Sequence, residues 1–416
     1  MVSPLRWLRD ALGVAMLSGA LFTAVIGVDA WLGYRALLRE PPGEEIRGVH
    51  LADDRLGWAL EPNGAGIHRS AGNFDVRYGI DERGFRRVAN RGDPVRRIFV
   101  FGDSFTFGHG VEDDATYTSR MAQHYLRPGE HVVNAGVMGY GITQMLQRLA
   151  DLEPEIQPGD LVLFAPTSDD FVRTFAWFSY PSRHLLRRSK GDVAFFPDLR
   201  DGRLVTARLD TPWNRLKALL FHAKLTGPAF ERIFHAIEGV DTARDARATI
   251  AAARAIAVRR GARFALVLLP YPEECARGAY DVDVSAVAPL ELMASFPNSR
   301  EETAKIRFPG DPHWNARGHE LAARAIVQAL VASGDLSREE LAPPNAAGGA
   351  DLGTGQGARV PASARATTSR ATASAVAPAG VRSRTRAHAA RSAAIRAGSR
   401  THSSVTRASS AGVTAS

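Results

Sequence analysis

Four short apolar runs, separated by helical patterns, restrict the fold of this chain more than any other feature. They are Arg97-Ile98-Phe99-Val100-Phe101, His131-Val132-Val133-Asn134, Asp160-Leu161-Val162-Leu163-Phe164 and residues 263–269. A strand wetted on one face alternates apolar and polar residues, whereas a run that is apolar throughout is covered on both faces. Residues 116–126, 143–152 and 242–260 carry helical spacing between the runs. Strands alternating with helices predict an α/β domain with a parallel sheet between two helical layers. A last helix is predicted from about Asn315, where Leu321, Ala322, Ala325, Ile326, Ala329 and Leu330 form one apolar stripe.

The flanks differ in character. Residues 11–32 are 22 positions with one ionisable side chain, Asp29; as a helix they would span about 33 Å, enough for a bilayer core. Arg6 and Arg9 precede them, and Trp31, Tyr34, Arg35 and Arg39 follow as interfacial anchors would. Residues 1–40 are therefore expected to anchor the chain in a membrane. The domain that follows the anchor is placed outside the cytoplasm, in the periplasm. A cleaved leader is the rival, with Val28-Asp29-Ala30 offering small residues for cleavage.

Residues 41–96, with Phe74-Asp75-Val76-Arg77-Tyr78 before Asp81-Glu82-Arg83-Gly84, read as a hairpin-rich lead-in packed on the main domain, 97–342. An aromatic- and Arg-rich insertion is expected over 171–235. Residues 343–416 form an Ala/Ser/Arg-rich tail too poor in large apolar side chains to fold, and it is expected to be disordered. From 351 onward it holds ten Arg, no Lys and one acid, a charge of +9, so residues 1–350 sum to −1 within the total of +8. Basicity thus belongs to the tail, which could contact anionic polymer or lipid; no nucleic-acid partner is expected. The single cysteine, Cys275, excludes an internal disulfide and lies in a stretch expected to be a loop.

Reactive groups in an open parallel sheet collect beyond the carboxyl ends of its strands. There the chain places Gly102-Asp103-Ser104-Phe105, then Asn134-Ala135-Gly136-Val137-Met138-Gly139-Tyr140-Gly141, then Thr167-Ser168-Asp169-Asp170. Asp311-Pro312-His313-Trp314 stands before the last helix. A serine, a run of backbone amides and an Asp/His pair converging on one edge suffice for acyl transfer. Dinucleotide and P-loop spacings are not met, and Thr106 stands where the nucleophile elbow of α/β-hydrolases needs its second Gly. Asp311, His313 and His319 could ligate a metal, but nothing else at ligand spacing supports one.

These blocks resemble those of the SGNH (GDSL-type) hydrolases over about residues 50–335. Phe101-Gly102-Asp103-Ser104-Phe105-Thr106-Phe107-Gly108 is similar to the family's first block, Asn134 to Tyr140 to its second, and Asp311-Pro312-His313 to its last. Leu56-Gly57-Trp58-Ala59-Leu60-Glu61-Pro62-Asn63 and Gly84-Phe85-Arg86 resemble the lead-in of anchored bacterial members. The resemblance implies a three-layer α/β/α, flavodoxin-like fold. It implies Ser104 as nucleophile, His313 as base, Asp311 as the orienting carboxylate, Gly139 as an oxyanion-hole amide, and no cofactor.

Two positions depart from the family. Its third-block Asn is replaced by Ser168, whose hydroxyl is expected to serve as the third oxyanion donor beside the amides of Ser104 and Gly139. Asp311 lies two residues before His313 rather than three, a spacing similar to that of polysaccharide O-acetyltransferases. The expected activity is hydrolysis of an ester on an O-acylated carbohydrate or lipid. The alternatives are O-acetyl transfer to an exopolysaccharide or cell-wall glycan, and a catalytically weakened glycan-binding protein. Asp103 is expected to brace the nucleophile turn, and His109 and His319 to lie at the surface or behind the reacting residues.

Overall fold

The computed structural model describes residues 4–39, 44–173, 186, 193–200, 203–239, 241–283 and 285–343. The tail from 344 onward and residues 174–185 of the insertion lie outside them.

The central sheet is built from β6 (Arg96–Gly102), β7 (Glu130–Asn134), β8 (Leu161–Ala165), β11 (Arg263–Leu268) and the two-residue β12 (Leu290–Glu291). Its order is β12-β11-β8-β6-β7 and every pairing is parallel. In chain order that is 2-1-3-4-5, an order of doubly wound sheets, which reverses direction between β6 and β8. Side chains alternate between faces within each run. Ile98, Val100, Leu161 and Leu163 face one core with α3 (Tyr117–Arg120) and α11 (Ala316–Ser333). Phe99, Phe101, Val162 and Phe164 face the other with α4 (Ile142–Leu152) and α8 (Thr242–Arg259). All five residues of β8 are buried, which is why its sequence shows no polar alternation.

The short helices complete the frame: α2 (Ser104–Phe107), α5 (Ser168–Val172), α9 (Pro272–Arg277) and α10 (Arg300–Ala304). Cys275 sits in α9, not in a loop, and is buried. Pro272 at the helix start and Gly278 in the left-handed conformation at its end account for that turn of helix. The helix expected over 116–126 stops at Arg120 and continues as a wider π turn over Met121–Tyr125.

The lead-in supplies β1 (Glu44–Arg47), β4 (Ala65–Ser70) and β5 (Phe74–Gly79) as one antiparallel sheet, and β2 (His50–Asp53) with β3 (Gly57–Leu60) as a hairpin. Its Trp58, Leu60, Val76 and Tyr78 form a third core with Phe107, Val137 and Tyr140. The insertion contributes a hairpin, β9 (Phe195–Arg200) with β10 (Arg203–Arg208), and two helices, α6 (Pro212–Phe221) and α7 (Gly227–Glu238). A last hairpin, β13 (Arg307–Phe308) with β14 (Asp311–Trp314), precedes α11. At the other end, α1 (Pro4–Leu38) is long and apolar enough to cross a membrane.

Candidate active site

Strand β6 stops at Gly102 because the chain must turn hard there. A Cβ on Gly102 would lie 1.9 Å from Thr106 Oγ1 and 2.9 Å from the Ala165 carbonyl oxygen. Asp103 then caps α2, its carboxylate accepting from the Phe105 amide at 2.9 Å. Ser104 is the first residue of that helix, just past the sheet's reversal point and only 8% exposed.

Strand β14 brings the Asp/His pair to the same place. Ser104 Oγ lies 2.7 Å from His313 Nε2, and His313 Nδ1 lies 2.5 Å from Asp311 Oδ1. A carboxylate only accepts, so Nδ1 carries the ring proton and Nε2 offers its lone pair to the serine hydroxyl. Asp311 Oδ1 also accepts from the His313 amide at 2.8 Å, which ties the short Asp-Pro-His turn to itself. Burial alone would raise the Asp311 pKa, but donors from His109 and His313 hold the carboxyl well below its usual range. The Phe105 ring packs beside the imidazole at 5.0 Å between centroids, and Phe105 in turn abuts the buried Trp314.

His109 is buried, and its ring stacks on that of His313 at 3.9 Å between centroids, with Nε2 3.4 Å from Asp311 Oδ2. Burial and the neighbouring His313 push its pKa down to about 3, so it is neutral. His319 is buried on the far side, where its Nδ1 accepts from the Tyr117 amide at 3.2 Å. Neither histidine is at the surface. His109, Asp311 and His313 offer three ligand atoms within 4.8 Å of one another, a set a divalent cation would fit, whereas His319 is not part of it.

Behind the nucleophile, Asp103 is fully buried. Its Oδ2 lies 3.1 Å from an Arg173 guanidinium nitrogen and 3.3 Å from Ser104 Oγ. Arg173 also bridges Asp170 at 3.0 Å. Burial, then the charge of Asp103, raises the Asp170 pKa well above the ordinary value. This cluster fixes the floor of the turn; Asp103 braces it as its position after β6 suggests.

The second block is set by Asn134 at the end of β7. Its amide donates to the Thr106 carbonyl at 2.7 Å, and its oxygen accepts from the Gly136 amide at 3.0 Å. The chain then turns through Gly139 at φ +85°, a conformation that favours glycine. Ser168, expected as an oxyanion donor, is the first residue of α5. Its hydroxyl, which has one proton to give, lies 2.5 Å from Oε1 of the fully buried Glu274. Glu274 also accepts the amides of Tyr271 and Asp281, each at 2.8 Å, so Ser168 ties α5 to the cap of α9. Its neighbour Thr167 has Oγ1 3.5 Å from Asp103 Oδ2.

The lead-in reaches this site through Trp58 and Arg86, one from each of its two blocks. Trp58 Nε1 donates to the Met138 carbonyl at 3.1 Å, and Tyr140 OH donates to the Trp58 carbonyl at 2.7 Å. The buried Arg86 guanidinium donates to the carbonyls of Phe107 and Val111 and pairs with Asp113, holding the segment after the nucleophile. Gly84-Phe85-Arg86 was visible in the sequence, but an arginine in a turn gives no sign that it will be buried.

No family model matches the sequence, and no curated protein does. Among solved structures the chain is similar to a lipolytic protein of the G-D-S-L family from Veillonella parvula, at 14% identity and a TM-score of 0.24, covering 56% of this chain and 97% of that one. A second G-D-S-L family protein, from Desulfitobacterium hafniense, shows 13% identity and a TM-score of 0.21, with 56% and 99% covered. A variant of the esterase AlinE4 shows 19% and 0.17, with 42% and 77% covered. Likenesses this slight carry no argument, and the functional reading rests on the site itself.

Proposed function

We propose that this chain is a serine ester hydrolase of the SGNH kind, held at a membrane by α1 with its catalytic domain outside the cytoplasm. The observation that carries the proposal is the hydrogen-bonded line Ser104–His313–Asp311 at the carboxyl edge of a parallel sheet. Ser104 Oγ attacks the acyl carbonyl while His313 Nε2 takes its proton. Asp311 keeps the Nδ1 proton in place and stabilises the imidazolium that forms. The amides of Ser104 and Gly139 receive the developing oxyanion. The acid His313 then protonates the leaving alcohol, and a water deprotonated by the same histidine releases the acyl group and frees Ser104. The substrate class is an O-acylated carbohydrate or lipid.

The test is labelling of the full chain, in detergent, with a fluorophosphonate probe, alongside hydrolysis of aryl acetates. Wild type should label and turn over, and Ser104→Ala should do neither while unfolding at the same temperature. Turnover by Ser104→Ala near the wild-type rate would overturn the mechanism. Failure of the wild type to label would favour a binding protein.

A further inference from the structure

Helix α1 is too long for its simplest role. Its 35 residues extend about 52 Å, against a hydrocarbon core of about 30 Å. Side-chain exposure divides it. Residues 5–25 are exposed, and beyond them Ile26, Asp29, Ala30, Gly33, Tyr34 and Leu37 are wholly or partly covered, at the spacing of one helix face. That face docks on the joint between α6 and α7. Gly33 comes so near that a Cβ there would lie 1.7 Å from the His222 carbonyl oxygen. The Asp29 carboxylate, 5% exposed, accepts from the amides of Leu225 and Thr226 at 2.9 Å each and from Thr226 Oγ1 at 2.7 Å.

This contact sets a depth. If the uncharged residues 11–28 fill the hydrocarbon core, a length of about 27 Å, Asp29 stands at its edge, against the headgroups. Leu225 is bonded to Asp29 and is therefore at the same level. The helices that meet there carry apolar side chains turned to solvent: Leu225 at 82% exposure, Ile237 at 72%, Trp213 at 56% and Ile233 at 52%. Ile233 and Ile237 are four apart and share one side of α7. Of the four Lys or Arg across 212–238, Arg215, Lys224 and Arg232 are exposed and Lys217 is buried. Amphipathic helices of this kind lie in the boundary between headgroups and acyl chains and favour anionic lipid.

We propose that α6 and α7 form a second membrane contact, lying on an anionic phospholipid surface at the depth set by the Asp29 and Gly33 docking of α1. The proposal rests on the reading that α1 crosses a membrane, and the experiment separates the two.

Nitroxide labels are placed on the full chain at Leu17→Cys, Ile237→Cys and, as an aqueous reference, Val95→Cys, which is 77% exposed. The native Cys275 is buried and its thiol pushed up to about 12 by that burial, so it does not compete for label. The protein is reconstituted in phosphatidylethanolamine–phosphatidylglycerol vesicles, and collisions with oxygen and with a water-soluble nickel chelate are measured. Positions 17 and 237 should both favour oxygen several-fold over position 95, with 237 the shallower. Adding Gly33→Leu should return 237 to the aqueous value while 17 stays in lipid. Position 237 behaving like 95 while 17 is in lipid would overturn the contact and leave the anchor standing. Position 17 in water would overturn both. Position 237 shielded from both reagents would mean that protein, not lipid, covers the face, and would also overturn the proposal.

Discussion

Replacing Ser168 by alanine separates a structural hydroxyl from a catalytic one. In the folded chain that hydroxyl satisfies a carboxylate with no exposure to water, and it is one of three donors on Glu274. Removing one hydrogen bond to a buried charged group costs about 1.5–3 kcal/mol. For a domain of this size each kcal/mol lowers the melting temperature by about 2–4 °C, so the variant should melt roughly 3–12 °C below wild type. Losing an oxyanion donor would instead lower kcat by about 10²–10³. The assay is thermal unfolding by circular dichroism alongside kcat on an aryl acetate, measured well below the transition. The expected result is a clear drop in melting temperature with kcat within about twofold of wild type, since no chemical step would pass through residue 168. An unchanged melting temperature with a hundredfold loss of kcat would refute the reasoning and return Ser168 to the oxyanion. Ser168→Asn should be the worse variant, because the longer side chain must displace Glu274 or its cap, at about 1–3 kcal/mol for overpacking.

Asp311→Asn should leave the protein folded and lower kcat by roughly 10³–10⁴, because an amide cannot hold the Nδ1 proton as a carboxylate does; near-normal turnover would remove Asp311 from the mechanism. Stability should fall on acidification. Burial holds His109 and His319 near a pKa of 3 instead of 6.5, so between those values the unfolded chain binds protons that the folded chain refuses. Each histidine should then contribute up to about 1.4 kcal/mol of lost stability per pH unit below about 6.5. The depressed pKa of Asp311 adds to the same trend only below about 3.8. His319→Gln should show a shallower fall in melting temperature from pH 6.5 to 4.5, and an identical slope would show that His319 is not held neutral.

The parts of the fold written in runs of side chains were legible. Four of the five sheet strands carry an apolar run, and the residues after three of them are small or polar because they leave the sheet into the site. Strand β12 escaped because two residues make no pattern. The α6–α7 pair escaped because Trp213, Ile233 and Ile237 spoil the polar face by which a surface helix is recognised. The motif spacing pointed to Ser104 and the Asp311–His313 turn as neighbours, and the structure brings these three together. Ser168 was different. Which way a hydroxyl points depends on where its acceptor lies, and Glu274 is 106 residues away along the chain. His109 likewise looks like a polar residue in a glycine turn. Only the arrival of His68, Phe74 and His313 around its ring buries it.

The bonds from Trp58 to Met138, from Tyr140 back to Trp58, and from Arg86 to Phe107 have a consequence for ancestry. A catalytic core whose loops are buttressed from within can be shuffled between proteins as a module. Here the buttress is an upstream stretch with a sheet of its own, and it shares its interior with the loops it supports. A gene fusion that kept only the five-stranded half would carry the reacting side chains and lose what sets their angles. A substitution at Trp58 or Tyr140 should therefore disturb the loop of Met138 and Gly139 even though Trp58 lies outside the five-stranded half.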